Sequence, residues 1–511
     1  MGKFFEMPFC KARLAHKPEL LVEKKMKTAK KIFFISLVAF FSMAQIFAQD
    51  WDDDWGGDSG SASASSEESA GGFWDKFKFS GDASLGGRIY FDNESAGKTE
   101  ARAIPELEIG LDYEGSSTNF SARINLSERT LLHNQIDILD EFRADLFLGD
   151  FVLSAGKMKV VWGKGDKLHV LDNFNANDYT DFLIPDYLDR RAGEYMFRVQ
   201  YNAPSVFRLE GIWTPIMRGE IYAEDGRWVP NRVKDLTAQV AKTQAAKILT
   251  AAGLNGNLNE DSLSALMDAS SMSADSIMPN TNRLEYGQFG FYGNFSIGAV
   301  DLGVSYYNGH YKQVSANMSA VNPITKLGIP TLEYDKLQVF GLDAQAAAGP
   351  FTLRAELAYN LTKDMAGDDP WVHNNSISYL AGFDVGIPLH NLNLNVQGTG
   401  NFVLKKDKIT EGAYKKYDTD HDPTGCYSNN KIVVQLKDTF YYEKVEAVVK
   451  AIYGFERRDL VLMPEVSYKI RDGWKARLSG LFIHNFGDDE DSEFAGWLDN
   501  SFIQLSVHYS F

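Results

Sequence analysis

Three features of this 511-residue sequence predict an all-β chain closed into a transmembrane antiparallel up-and-down β-barrel of about eighteen strands, with sixteen the alternative count. From Phe77 onward apolar residues recur with a period of two. Phe120, Ala122, Ile124 and Leu126 alternate with Ser121, Arg123, Asn125 and Ser127; Phe351, Leu353, Ala355, Leu357 and Tyr359 alternate with Thr352, Arg354, Glu356 and Asn360. Successive strand side chains point to opposite faces, so each segment offers one oily and one polar face. Tight connections then alternate with long ones, which sends the long connections to one rim. The closing segment sets Ile503, Leu505, Val507, Tyr509 and Phe511 at every second position. Composition fits a barrel with a wet interior. Charged residues are 24%, mean hydropathy is −0.27, and no stretch after residue 48 approaches the ~18 uninterrupted apolar residues of a membrane helix. Aromatics at 13% exclude a disordered chain. A formal charge of −17 with no basic face excludes nucleic acid as a partner.

Taken in chain order, residues 1–25 read as a non-native upstream extension, with the start at Met26. Lys27, Lys30 and Lys31, the apolar run Ile32 to Phe41, and Ala48 before a cut at Gln49 have the anatomy of a signal peptide over 26–48, with Ile46 a loose fit at the third position before the cut. Its removal leaves Cys426 alone, which excludes an intramolecular disulfide and a zinc cluster. Residues 49–75 form an acidic Ser/Gly-rich leader that cannot bury a core. The barrel occupies 76–511, with strands expected at 77–91, 102–114, 117–127, 139–149, 151–162, 193–203, 205–214, 284–296, 299–309, 333–347, 350–361, 375–388, 391–404, 431–441, 443–453, 459–470, 473–484 and 501–511. Tight turns fall at Gly115-Ser116, Gly149-Asp150, Ala203-Pro204, Gly298, Gly349, Leu389-His390, Tyr442 and Asp472-Gly473. This places both chain ends on the short-turn, periplasmic side. Trp74, Tyr113, Trp162, Tyr201, Trp213, Tyr306, Tyr359, Tyr441, Tyr453, Tyr468 and Trp474 are candidates for the two membrane interfaces. Residues 231–283 are a partly helical extracellular insertion: Val233 to Ala252 is helix-forming, with Val233, Leu236, Val240 and Ile248 on one face and Gly253 and Gly256 to end it.

A barrel this wide is not filled by its own side chains. By parity Glu106, Glu108, Asp112, Arg123, Arg143, Asp145, Arg198, Arg208, Glu210, Arg354, Glu356, Glu465, Lys469 and Arg477 face inward, a mixture of signs that predicts no strong anion selectivity and a slight cation preference. The connection after Trp162 carries the most distinctive text. It combines Lys164, Asp166, Lys167, His169, Asp172, Asp178, Asp181, Arg190 and Arg191, which would narrow and charge the bore if the loop folded inward. The alternative is a loop resting on the rim through Leu168, Val170, Leu171 and Phe174.

The run V-W-G-x-G-D-x-L-x-V-L-D from Val161 to Asp172, the following N-x-N-x-x-D, Arg190-Arg191, Leu209 to Pro215 and the closing Tyr509-Ser510-Phe511 resemble an uncharacterised family of porin-like bacterial outer-membrane β-barrel proteins. The resemblance covers most of Gly156 to Trp213 and roughly Asp438 to Phe511. It implies a barrel and passive transport and names no substrate. The alternation from Ile503 to Phe511 also resembles the C-terminal signal read by barrel-assembly machinery.

Asp418, Asp420 and Asp422 alternate as in a calcium loop, but the sixth and twelfth positions, Gly and Glu in that loop, are Pro423 and Asn429. No metal or cofactor is expected. An enzyme is disfavoured because G-x-S-x-G, H-E-x-x-H and phosphate-cradling glycine loops are all missing from the text. The expected function is an outer-membrane channel for passive diffusion of small polar solutes. A transporter for fatty-acid-like hydrophobic compounds and a barrel-anchored surface adhesin are the alternatives. Expected partners are outer-membrane lipid, the assembly machinery and the solutes; a homo-oligomer is compatible with the sequence.

Overall fold

A computed structural model describes residues 76–91, 101–183, 186–203, 207–251, 253, 266–267, 277–322 and 324–511. The upstream extension, signal peptide and acidic leader, together with Trp74, lie outside the described residues.

Eighteen strands form one sheet. They are β1 Phe77–Tyr90, β2 Ala101–Glu114, β3 Thr118–Ser127, β4 Leu139–Leu148, β5 Phe151–Met158, β6 Glu194–Asn202, β7 Phe207–Thr214, β8 Gln288–Ile297 and β9 Val300–His310. There follow β10 Lys336–Ala348, β11 Phe351–Thr362, β12 Ser376–Gly386, β13 Asn393–Val403, β14 Ser428–Phe440, β15 Val445–Gly454, β16 Asp459–Arg471, β17 Trp474–Asn485 and β18 Phe502–Ser510. Each strand pairs antiparallel with its sequence neighbours. β1 also pairs with β18, from Asp82↔Ser510 to Tyr90↔Phe502, and this closes the cylinder. Closure leaves no sheet edge, as a medium without water requires.

The wall is inverted relative to a water-soluble protein. On β1, Leu85 is 53% and Ile89 44% exposed, while the alternate residues Ser84 and Arg88 are 8% and 0% exposed. The same holds around the cylinder, where Phe291, Val304, Leu342, Leu357, Leu478 and Leu505 stand outward and exposed. Each such side chain left in water forfeits ~1.5–3 kcal/mol, so a continuous apolar band of this kind belongs in hydrocarbon. No described helix is long and apolar enough to cross a membrane.

The connections follow the expected rhythm with one exception. Turns on the rim where β1 starts and β18 ends are short, and Gly149 and Gly349, both at φ +61, supply the left-handed residue that two of them need. On the other rim the connections are long, reaching from 215 to 287 between β7 and β8, but β15 and β16 are joined by the tight Phe455–Arg458 turn.

Strand boundaries lie close to those expected, and the start of β8 and the end of β5 differ most, by four residues each. β5 stops at Met158 rather than running to 162, because the Asn175 side chain takes over the ladder: its Oδ1 accepts from Val160 N at 2.8 Å and its Nδ2 donates to Met158 O at 2.9 Å. The chain is thereby turned into the bore. Trp162 goes with it and is 2% exposed, so it is an interior residue rather than an interface aromatic.

Among the described residues three α-helices sit on the long-loop side: α1 Glu128–Leu132, α2 Asn231–Ala251 and α3 Lys406–Glu411. In α2 the buried face is Val240, Ala241, Thr243 and Ala245, whereas Ile248 is exposed. The apolar face is therefore rotated from the expected one, because α2 lies against the loop at Gly328, whose carbonyl accepts from Gln239 and Thr243. Gly253, at φ +68, follows the helix end.

Candidate functional site

The chain between β5 and β6, residues 159–193, crosses the interior and is fastened to strands around the wall. Trp162 Nε1 donates to Glu210 Oε1 of β7 at 2.8 Å, and Lys164 Nζ reaches Asn294 of β8 at 2.7 Å. Leu171 lies over Gly341 of β10, where any Cβ would come within 2.5 Å of it. On β11, Glu356 accepts from Gly165 N at 2.6 Å and Val170 N at 2.8 Å and meets His169 Nδ1 at 3.0 Å. Asp166 exchanges backbone bonds with the Gln397 amide of β13, at 3.0 and 2.9 Å. Asp186 takes Lys450 of β15 at 2.9 Å and Lys167 of the loop itself at 2.7 Å. Arg88 of β1, fully buried, grips both oxygens of Asp181 at 2.9 and 2.8 Å. A segment held by β1, β7, β8, β10, β11, β13 and β15 is inside the cylinder, not on its rim.

The loop is braced internally as well. Arg191 pairs with Asp172 and Asp189, and Arg129 from α1 pairs with Asp178. Arg190 is 4% exposed, 4.0 Å from the Tyr187 ring and 4.8 Å from the Tyr179 ring; burial depresses its pKa. Burial likewise raises Asp172 although Arg191 opposes it. Burial alone would raise Asp186, but Lys450 and Lys167 hold it well below the usual carboxylate range. Below the loop's root, Asp137 receives Arg218 at 2.6 and 3.1 Å and Lys157 at 3.0 Å. Burial would raise Asp137 too, yet these cations bring it down to about 2.

Of the remaining sequence-derived residues, Arg123, Arg143 and Arg354 pair on the wall itself, with Asp112 at 2.8 Å, Asp145 at 3.0 Å and Asp384 at 2.6 Å. Arg198 joins Arg208 and Gln200 on Glu210. The calcium-like string does not converge: Asp420 holds His373 and the Asn374 amide, and Asp422 holds Thr424 and the Tyr427 amide.

Sequence reasoning missed Arg88, Asp137, Asp186, Gln397 and Lys450. Parity could have found Arg88, one step from Ile89; it does put Gln397 on the polar face, where Asn391, Asn393, Asn395 and Gln397 alternate with Leu392, Leu394 and Val396, but leaves its bond to the loop unmarked. Asp186 carries no local signal.

The loop leaves open space beside β1 and β2. A cavity of about 570 Å³ opens between the outer loops, reaching Thr180 and Asp181 on the loop and Arg102, Ile104 and Glu106 on β2. A second, of about 310 Å³, lies toward the short-turn rim between Leu183 and Asp186 and a polar wall that includes Arg477, Ser479, Gln504 and His508. Both are lined by Ile104 and Glu106, so they adjoin at β2.

No family model and no curated protein sequence matches this chain. Among solved structures it is similar to OccAB4 of Acinetobacter baumannii, at 10% identity over 85% of this chain and 98% of that one, with a TM-score of 0.44. It is similar to the outer membrane protein opdK of Pseudomonas aeruginosa, at 12% identity over 86% and 100%, TM-score 0.43. A BenF-like porin of Pseudomonas fluorescens Pf-5 gives 9% identity over 86% and 99%, TM-score 0.43. Likeness of this degree carries no argument about function, which rests on the wall, the loop and the two cavities.

Proposed function

We propose that this chain is a channel of the bacterial outer membrane through which small polar solutes diffuse passively. The observation that carries this reading is the inside-out closed cylinder of eighteen strands whose bore is narrowed, not filled, by a charged inward loop. Lys164, Asp166, Lys167, His169, Asp172, Asp178, Asp181, Arg190 and Arg191 belong to this constriction, chiefly as groups that fix the loop's position. Charged and polar side chains in both linings, Arg102, Glu106, Glu128 and Arg218 in the outer cavity and Glu106, Arg477 and His508 in the inner one, argue against a hydrophobic transporter, whose bore needs apolar lining. We assign the alternation Ile503, Leu505, Val507, Tyr509, Phe511 to membrane insertion, and lipid contacts to the outward band.

The test is refolded protein in planar bilayers and in sugar-loaded liposomes. Stepwise conductance and swelling that falls off with solute size are expected. Folded, heat-modifiable protein that leaves bilayers silent would sink the channel reading and favour the adhesin.

A further inference from the structure

Resting on the channel reading, we infer that Glu106 sets the charge preference of the passage and that the favoured solutes are small cations and amine-bearing molecules rather than carboxylates. Glu106 and Ile104 are the wall residues common to both cavities, and the loop faces them with the stretch from Thr180 and Asp181, on the outer cavity, to Leu183 and Asp186, on the inner one. A solute that follows these cavities therefore passes Glu106 wherever else it touches the wall.

The other charges at this waist are matched. Asp181 is neutralised by Arg88, Asp186 by Lys450 and Lys167, Arg102 by Glu128 at 3.1 Å, and Arg477 by Glu465 at 3.2 Å. Glu106 is different. It accepts one bond, from Asn125 Nδ2 to Oε1 at 3.0 Å, and among the described residues it has no cationic partner. Asn125 is neutral, so the bond orients the carboxylate without cancelling its charge. Two residues deeper on the same face stands Glu108, and over the two cavities together acidic side chains outnumber Lys and Arg. A charge fixed beside a narrow aqueous path raises the local concentration of counter-ions, and a rim charge farther out is screened by salt within about 10 Å.

The experiment is the reversal potential of the full chain in a KCl gradient across a planar bilayer. The native protein is expected to prefer K⁺. Glu106→Gln, which keeps the Asn125 hydrogen bond, should lower the cation-to-anion permeability ratio at least about twofold, and Glu106→Lys should invert the preference. A folding-independent arm places a thiol by Glu106→Cys in a chain whose Cys10 and Cys426 are replaced by Ser. Positively and negatively charged methanethiosulfonates, added to the same open channel, should then shift the reversal potential in opposite directions. Channels that conduct with a reversal potential unmoved by the variants and by both reagents overturn this inference and leave the channel reading standing. Silence of the native chain overturns both.

Discussion

Glu356 shows what a single wall carboxylate does for the loop. At 3% exposure it is the acceptor for two backbone amides and the partner of His169, three contacts that arrive from a segment nearly two hundred positions earlier. Gly163 and Gly165 let the chain come this close: a Cβ on Gly163 would lie 2.2 Å from Glu356 Oε1, and its φ of +108 is one that side-chain-bearing residues avoid. Glu356→Ala leaves both amides without an acceptor. At ~1–3 kcal/mol for each unmade buried bond, the loop's hold on β11 should weaken by roughly 2–5 kcal/mol. The expected result is larger and noisier single-channel conductance from a barrel that still runs as a folded band; unchanged conductance would show that the loop does not limit flow. Asp137 is the counterpart at the loop's root. Its folded pKa, about 2, lies below the ordinary 3.8, so its contribution to stability is complete above about pH 4 and is lost as pH falls through 2. Asp137→Asn strands buried Lys157 and Arg218 and should cost about 3–5 kcal/mol at neutral pH. Denaturation of the folded band in urea should show that gap at pH 7 and a narrower one at pH 2; a gap independent of pH would remove the ionic explanation.

Among the elements, the strands were legible and the loop's destination was not, for a physical reason. A strand between lipid and water needs only alternate apolar and polar residues, a local rule that can be read off Phe351 to Asn360 directly. The end of β5 breaks the rule because Asn175, from farther along, replaces its ladder bonds. Whether residues 159–193 turn inward depends on Glu356, Gln397, Lys450 and Arg88, whose distances along the chain leave no pattern near the loop. Arg190 and Arg191 read as lining charges because their sequence shows two adjacent cations; Asp189 stands beside them in the chain, but Tyr179, Tyr187 and Asp172, which also consume them, are brought to them by the fold. The outer connections between β11 and β12 and between β13 and β14 form another unit whose chemistry appears only on folding. His373 Nδ1 meets Asp420 at 2.7 Å, while its backbone N donates to Asp335 at 2.9 Å. Burial raises Asp418 to about 6 and raises Asp335; His373 would be lowered by burial but is raised by Asp420. All three folded pKa values exceed the unfolded ones. Their stabilisation is therefore full at low pH and declines as pH rises through about 6 and beyond. Amide exchange over residues 363–375 and 412–427, corrected for intrinsic rates, should be slower at pH 5 than at pH 8, and Asp418→Asn should shrink the difference. Equal protection at both values would count against this coupling.

The whole molecule depends on one seam that is not between sequence neighbours. β1 and β18 lie at opposite ends of the barrel segment, and their pairing spans Asp82↔Ser510 to Tyr90↔Phe502, extended by reciprocal bonds between Gly81 and Phe511 at 3.0 Å each. The Phe511 ring lies where a Gly81 side chain would be, with Cζ 2.2 Å from the position of a Cβ, so the seam is closed by a ring laid over bare backbone. Every other pair can form from neighbours joined by a turn or loop, whereas this one waits until both ends have met, and its loop-closure entropy is the largest in the fold. An open cylinder would present two rows of unpaired amides and carbonyls to hydrocarbon, each group costing several kcal/mol. Shortening the seam should therefore act on assembly of the entire barrel rather than on conductance. Removing residues 509–511 deletes the last pairs of β18 with β1 and β17, Phe511→Ala removes only the ring, and Gly81→Val displaces it from the other side. The fraction refolding to the heat-modifiable band in detergent should fall most for the deletion and less for the two point variants. Barrels formed by the two point variants should keep native conductance, because the pairs level with the waist, Glu106 with Ser84 and Ser84 with His508, stay in place. Full refolding yield from the deletion would mean that closure is secured by the remaining pairs alone, and the role assigned to Phe511 would then fail.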